Sequence, residues 1–546
     1  MSLVPVENVG EVGIVKDINA WQLPPNVWTA GNNVRAEHGA IQKSPGYLEV
    51  MGSCPILPYY ITNLEVGGAN YWIVGGTAKI YVHDGSSWTD LTRASGGDYS
   101  ATAKENWTST VLGGILVMAN GYDDPQFWAL TNGVPSVSTK MADLTHWPAS
   151  TECFSLRAFR SFLIGLNVTK STVPYTRLVK WSTAAATQAL PSSWDQSSPT
   201  VDAGEYELAD TRGIILDGLP LRDSFMIYKE DSVYEMTFVG TPFIFAFRQI
   251  SPTVGALSKN FVKEYDGGHF IFGNGDMYVN DGQRLISILP HTMRDYVYNN
   301  INGDEYEKCF VVADYGNTEM WACYVSATNA STDPQCDKAL VWNWANKSQQ
   351  TPLGTFTERD IPSLGYIGYG TEGNPLAPGS WGLATTTWAT DTLNWNQSAS
   401  TSFFNQAGKT LVFASPTDQK IYRHNSGNQS DTTDMTAYIE RTGLTLDSQG
   451  KSNQAMVKRI TAVYPKMSVS STNTINVYVG HQMSTEEAIT WEGPTTFNPD
   501  TQSKVPFNVT GKYIGVKFES TGNETWRLDG YALDIKDAGM RGSRSY

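Results

Sequence analysis

Ile73-Val74-Gly75 to Ile80-Tyr81, Ile227-Tyr228-Lys229 to Val233-Tyr234, Ile271-Phe272-Gly273 to Met277-Tyr278 and Val412-Phe413-Ala414 to Ile421-Tyr422 are four copies of one pattern. A hydrophobic run meets a short polar turn, and a second run then ends in an aliphatic residue or Met followed by Tyr. Two copies continue almost identically, as Tyr81-Val82-His83-Asp84-Gly85 and Tyr278-Val279-Asn280-Asp281-Gly282. Asp-Gly is a hairpin signal because both residues tolerate positive φ. Each copy therefore reads as a β-hairpin.

Looser copies fill the gaps: Leu116-Val117-Met118 to Phe127-Trp128, Phe162-Leu163-Ile164 to Val179-Lys180-Trp181, and Ala339-Leu340-Val341-Trp342. The closing aromatics fall at 81, 128, 181, 234, 278, 342 and 422, and a period of roughly 40–55 residues is that of a four-stranded propeller blade. The last two intervals are longer and call for insertions. A lone hairpin cannot bury both faces, whereas radially stacked sheets can, and they leave few edges open. The expectation is a mostly β chain: a β-propeller of six to eight blades over 51–430, with an insertion near 351–400. The alternative is a run of hairpins in ordinary sandwiches.

Outside the repeats, residues 1–50 form an extended arm and hairpin, and residues 431–546 form a C-terminal β-sandwich. Thr436-Ala437-Tyr438-Ile439-Glu440, Ile475-Asn476-Val477-Tyr478-Val479-Gly480 and Tyr513-Ile514-Gly515-Val516-Lys517-Phe518 alternate apolar with polar, the pattern of sheets with one wet face. This sandwich reads as a platform for neighbouring subunits or fibres. The Gly-, Pro- and Trp-rich stretch from about 351 to 396 reads as the blade insertion and a contact site. Helical periodicity is confined to a short segment, Thr292 to Ile301, just after Pro290.

The 546 residues are 40% hydrophobic and 12% aromatic, enough for a large core, and 49 Gly and 26 Pro suit many tight turns. Lys and Arg total 39 against 54 acidic residues, for a formal charge of −15. Such a surface repels a phosphate backbone, because gripping DNA requires clustered cations that displace counterions. A surface past which DNA slides is still compatible with it.

Catalytic and metal motifs are missing from the pattern. The five cysteines at 54, 153, 309, 323 and 336 lack a CxxC pair and read as buried thiols. The seven histidines form neither HxxxH nor HxH, and His269 reads as a packed residue of a hairpin. Asp84-Gly85-Ser86-Ser87-Trp88 misses the sialidase Asp-box register. The carboxylate pairs Asp123-Asp124 and Glu230-Asp231 make no acid-and-base couple. No cofactor or metal is expected, although the two carboxylates of a glycosidase could come from distant blades. The start of the chain shows no charged leader before an apolar core, and no segment reaches 18 uncharged apolar residues. The expectation is a chain made in a cytoplasm without a membrane segment.

The N-terminal segment is the most distinctive. Gly13-Ile14-Val15-Lys16-Asp17 leads to Leu23-Pro24-Pro25-Asn26-Val27-Trp28, then to Gly31-Asn32-Asn33-Val34-Arg35-Ala36-Glu37-His38-Gly39 and Lys43-Ser44-Pro45-Gly46-Tyr47. It reads as a Pro-punctuated arm anchored by Trp21 and Trp28, followed by a hairpin turning at Glu37-His38-Gly39. An arm of this kind docks either on another subunit or on blades of its own chain. Its candidate assembly residues are Trp21, Leu23, Pro24, Trp28, Asn33 and Arg35.

This start resembles that of the tail-tube, or nozzle, proteins of short-tailed bacteriophages, also called packaged-DNA stabilisation proteins. So do the run from Asp223-Ser224-Phe225-Met226-Ile227-Tyr228 to Val233-Tyr234 with its sequel Phe238-Val239-Gly240-Thr241-Pro242-Phe243, the segment Gly255-Ala256-Leu257-Ser258, the Phe270-Ile271-Phe272-Gly273 hairpin, and the close Leu528-Asp529-Gly530-Tyr531-Ala532-Leu533-Asp534 with Gly539-Met540-Arg541. Where that family usually has Arg in the Lys-x-Pro-Gly turn, this chain has Ser44. The resemblance implies a non-enzymatic virion protein, assembled in the host bacterial cytoplasm. It implies a hexameric ring below the portal and adaptor that carries fibres or a needle and conducts double-stranded DNA without sequence-specific binding. The rival expectation is a propeller that recognises host-surface glycans, its Trp and Tyr serving as stacking platforms.

Overall fold

The computed structural model describes residues 3–104, 106–198, 200–371, 409–470 and 474–540. Seven antiparallel four-stranded blades form a β-propeller. Blades 1 to 6 cover residues 60–90, 108–143, 151–207, 215–251, 262–287 and 310–364, each with its strands paired in chain order. Blade 7 consists of Tyr366–Gly370, Thr410–Ser415 and Lys420–His424, and it takes its fourth strand, Tyr47–Val50, from the N-terminal segment. The ring therefore closes by joining the two ends of the propeller sequence, so neither end is left with an open edge. The seven closing aromatics, Tyr81, Trp128, Trp181, Tyr234, Tyr278, Trp342 and Tyr422, each lie in the third strand of a different blade.

Turn chemistry explains the recurrence. Asp84 Oδ1 accepts from the backbone N–H groups of Ser86 and Ser87, and Asp281 Oδ1 accepts from those of Gln283 and Arg284. These are four-residue turns closed by an Asp side chain, with Gly85 and Gly282 at φ of 97° and 92°. They join third to fourth strands. The interval between Tyr278 and Trp342 is long because a helix, His291–Asn300, links blades 5 and 6. The expected insertion is corrected in its first part: Thr355–Leu364 and Tyr366–Gly370 are ordinary blade strands. Residues 372–408 lie outside the described residues.

Two further sheets stack beside the propeller. In one, the order is Val34–Glu37, Ala40–Lys43, Trp526–Met540, Met456–Val469 and Val505–Gly511, with Leu3–Glu7 also paired to Trp526–Met540. In the other it is Ala30–Asn32, Ala437–Leu444, Tyr513–Ser520, Ile475–Gln482 and Thr490–Phe497. Ile460, Val463, Leu533 and Ile535 of the first sheet and Ile439, Val477, Val516 and Phe518 of the second belong to one buried cluster, which extends into blades 5 and 6. The N-terminal segment is thus no separate arm. Four of its strands complete the sandwich and a fifth completes blade 7, because each finds an unpaired edge there.

Gly46 sits where these parts meet. A Cβ at this position would lie 2.0 Å from the Gln429 carbonyl oxygen, on the strand that pairs in parallel with Tyr47. The glycine of the Lys-x-Pro-Gly turn is therefore required by close backbone approach.

Candidate interaction surfaces

The arm residues face inward. Trp28 is buried and its indole Nε1 donates to the Val9 carbonyl at 2.6 Å. Asn33, at φ 55°, donates through Nδ2 to the Thr436 carbonyl, and its Oδ1 accepts from the Asp360 N–H. Trp21 lies in a short 3-10 turn, Ala20–Gln22, and the Leu23 and Pro24 carbonyls accept from the Arg441 guanidinium. Arg35 reaches from the sandwich into blade 6, where its Nε and Nη2 donate to Glu319 at 2.7 and 3.3 Å. Arg359 Nη2 also donates to Glu319, at 2.7 Å. Burial pushes the Glu319 pKa up, but the Arg359 and Arg35 guanidiniums outweigh it and hold this carboxyl at about 2. Of the two dockings open to the arm, Trp28, Asn33 and Arg35 take the one within their own chain.

Around the propeller axis the innermost strands are tied to one another. Tyr366 of blade 7 packs against Phe310 of blade 6 and stacks on Tyr60 of blade 1, with centroids 4.9 and 4.6 Å apart. The Tyr60 hydroxyl meets Ser109 Oγ of blade 2 at 2.9 Å, and Arg157 of blade 3 donates to the Ser109 carbonyl. Arg157 also grips Asp217 of blade 4, which accepts from Ser155 and from the N–H of Asn260 at the entry to blade 5. One run of contacts thereby touches all seven blades. A cavity lined by Asn106, Lys259, Cys309 and Tyr366 measures about 10 Å³, room for about one water. A sugar ring does not fit there.

His269 is a packed residue. Its Nε2 donates to the Pro220 carbonyl at 2.9 Å, so Nδ1 accepts from the Tyr228 hydroxyl at 2.7 Å. All five cysteines are free and buried. Among the described residues no group of His, Cys, Asp and Glu is arranged to hold a metal, and no helix is long and apolar enough to cross a membrane.

What is left exposed is organised by face. Strand direction puts the first-to-second and third-to-fourth hairpins of every blade on one face, called lower here, and the crossovers between blades on the upper face. On the lower face, the hairpin between Val233–Phe238 and Phe245–Ser251 of blade 4 presents Phe238, Val239 and Phe243, with Phe243 76% exposed. These side chains continue an aromatic cluster: Phe238 packs on Phe162 and Phe245, and Phe245 on Trp181. Arg160 lies over the Phe238 ring at 5.1 Å.

On the upper face, Asp123, Asp124, Asp143 and Glu152 gather between blades 2 and 3, and Arg93 pairs with Asp123 and Asp143 at 3.0 and 3.7 Å. Burial and then the Asp143 charge raise the Asp124 pKa, and burial and then Asp124 raise that of Glu152. Tyr122, Val173 and Tyr175 are exposed on the hairpins of the same two blades.

No family model matches this chain. No curated protein matches it either. Among solved structures it is similar to Hsv2 of Kluyveromyces marxianus, at 9% identity over 60% of this chain and 74% of that one, with a TM-score of 0.31. It is also similar to Kluyveromyces lactis Hsv2, at 8% identity over 46% and 62% of the two chains, with a TM-score of 0.26. Likeness at this distance carries no functional argument.

The sequence pointed to the arm, the C-terminal sandwich and the stretch from about 351 to 396 as contact regions. It gave no warning of the two-faced arrangement on blades 2–4, because which hairpin lies on which face follows from blade closure. The available signal was the run Phe238-Val239-Gly240-Thr241-Pro242-Phe243, too apolar for an ordinary surface turn.

Proposed function

We propose that this chain is a structural, non-enzymatic subunit of a short-tailed bacteriophage tail. In this reading six copies form a nozzle below the portal and adaptor, hold the packaged genome and conduct its ejection, with fibres or a needle attached. The observation that supports it is the packed axis: the run of contacts from Phe310 and Tyr366 through Arg157 and Asp217 ties the innermost strands together, and the cavity beside it has room for about one water. The work of such a body is done by its outer surfaces, and a passage for DNA has to run between copies. A formal charge of −15 per chain suits walls that repel DNA and let it slide. The segments that carry the family resemblance are also joints of this fold, namely the arm that completes the sandwich and blade 7, and the second hairpin of blade 4.

The rival reading is glycan recognition by exposed aromatics. It is favoured by the half-exposed Tyr206, stacked on Phe247 with centroids 4.6 Å apart and planes 9° from parallel. Antibody labelling of purified virions, followed by electron microscopy with symmetry averaging, separates the two. A sixfold ring of label on the tail axis supports the nozzle; label on peripheral fibres supports glycan recognition, and absence from virions removes both.

A further inference from the structure

Arg441 places a guanidinium in the interior of the sandwich. Along Ala437–Leu444 the inward positions Ala437, Ile439 and Arg441 are all buried, so strand alternation puts a charge where an apolar side chain is expected. Tyr531, on Trp526–Met540 of the other sheet, is buried too and packs on Phe518 and Trp28, with centroids 5.6 and 6.1 Å apart. The Arg441 Nη groups donate to backbone carbonyls: Nη1 to Ala20 at 2.9 Å and to Thr442, Nη2 to Leu23 at 2.8 Å and to Pro24 at 3.3 Å. All four acceptors are neutral. Burial pushes the Arg441 pKa down to about 10, and among the described residues Tyr531, and no carboxylate, acts against this. The guanidinium is therefore charged at neutral pH with nothing to cancel it. Two donors remain, because neither Arg441 Nε nor the Tyr531 hydroxyl has a hydrogen-bond partner among the described residues.

We propose that the Arg441 Nε–H and the Tyr531 O–H hold one small monovalent anion, of the halide class, inside the sandwich. A buried charge without a counter-charge is strongly unfavourable, and so is a buried donor without an acceptor. A halide relieves both at once, because it accepts from both groups and cancels the charge. A water molecule accepts from the guanidinium but brings two hydrogens of its own into an apolar site, and it leaves the charge as it was. An oxyanion such as phosphate has more acceptor oxygens than two donors can serve. The anion also braces the arm: Arg441 holds the carbonyls of Ala20, Leu23 and Pro24, so fixing its remaining N–H fixes that turn against both sheets. This inference goes beyond the tail assignment and does not depend on it, since the assay uses purified chain alone and virion labelling is separate.

Thermal melts of the full chain test it, in sodium chloride and in sodium gluconate at equal ionic strength, so that general screening is the same in both. Gluconate is too large for the site. The parent is expected to melt about 2 °C higher in chloride, because the ion binds the folded state alone. Tyr531→Phe keeps the ring and removes one of the two donors, and it is expected to lose most of that shift. A parent that melts at the same temperature in both salts overturns the proposal. So does an equal chloride shift in the parent and in Tyr531→Phe, which means general salt action or an adventitious ion only. Crystals of the full chain grown with bromide give a second reading. An anomalous peak within hydrogen-bond reach of Arg441 Nε and the Tyr531 hydroxyl is expected, and a water molecule refined at that place overturns the inference.

Discussion

Arg157 and Asp217 form a two-pronged ion pair at the propeller axis, Nη2 to Oδ2 at 2.6 Å and Nε to Oδ1 at 2.8 Å, joining the innermost strands of blades 3 and 4. Asp217 is wholly buried and Arg157 nearly so. Ser155 and the N–H groups of Gly218 and Asn260 fill the remaining acceptor sites of the carboxylate. Two charges taken out of water are tolerable only with such full pairing. The pair also occupies the centre of the ring, where an apolar pair would leave the nearby backbone polar groups unanswered.

Removing one partner should therefore be costly. Arg157→Ala leaves a buried carboxylate unpaired, and a loss of about 3–5 kcal/mol is expected in denaturant unfolding. Replacing both residues, as Arg157→Met with Asp217→Leu, should lose less than the single change. A double variant as unstable as the sum of the singles would show that the pair is not a coupled unit.

The Arg35–Glu319–Arg359 cluster ties the sandwich to blade 6. Glu319 has a folded pKa of about 2 against its usual 4.5, so its stabilising effect is complete above 4.5 and fades as pH falls towards 2. The difference corresponds to about 3 kcal/mol. Glu319→Gln should be less stable than the parent by a constant amount from pH 7 to pH 5, and the gap should narrow below that. Urea titrations across this range measure it.

His269 behaves in a related way with a different group. Burial lowers its pKa from 6.5 to about 4, so the neutral ring is favoured in the folded state. Its stabilising effect is full above about 6.5 and is lost as pH falls towards 4, again by about 3 kcal/mol. A His269→Gln chain cannot protonate there, so thermal melts should show the parent losing ground to it between pH 6.5 and 4. A parallel decline of the two would locate the acid sensitivity elsewhere.

In the arm, Trp28 and Trp21 should separate cleanly. Trp28→Ala empties a buried site and removes the bond to the Val9 carbonyl, at a cost of about 3–5 kcal/mol. Trp21 is only partly buried, and Trp21→Ala should change stability by roughly 0.5 kcal/mol. Equal effects in calorimetry would contradict this placement of the arm.

Removing the N-terminal segment tests the closure of blade 7. Tyr47–Val50 pairs with Lys420–His424, so a chain beginning at residue 51 lacks the fourth strand of blade 7 and five strands in all. It should aggregate or unfold without a cooperative transition, whereas the full chain unfolds cooperatively. A sharp transition in the shortened chain would mean that the propeller closes without help from the N-terminus.

The repeat, its period and its seven closing aromatics were legible in the sequence because they are local: alternation, Asp-Gly turns and the position of Tyr or Trp in a third strand need only neighbours along the chain. The helix after Pro290 and the packed His269 were legible for the same reason. Tertiary structure alone decided the fate of the arm, because Leu3–Glu7, Ala30–Asn32 and Tyr47–Val50 pair with strands hundreds of residues away. An unpaired edge accepts any strand of fitting length and pattern, so the partner is set by which edges remain open once the ring and the sandwich have formed. The same closure put the Phe243 tip and the Asp124–Glu152 cluster on opposite faces, a relation between distant hairpins that no local pattern encodes.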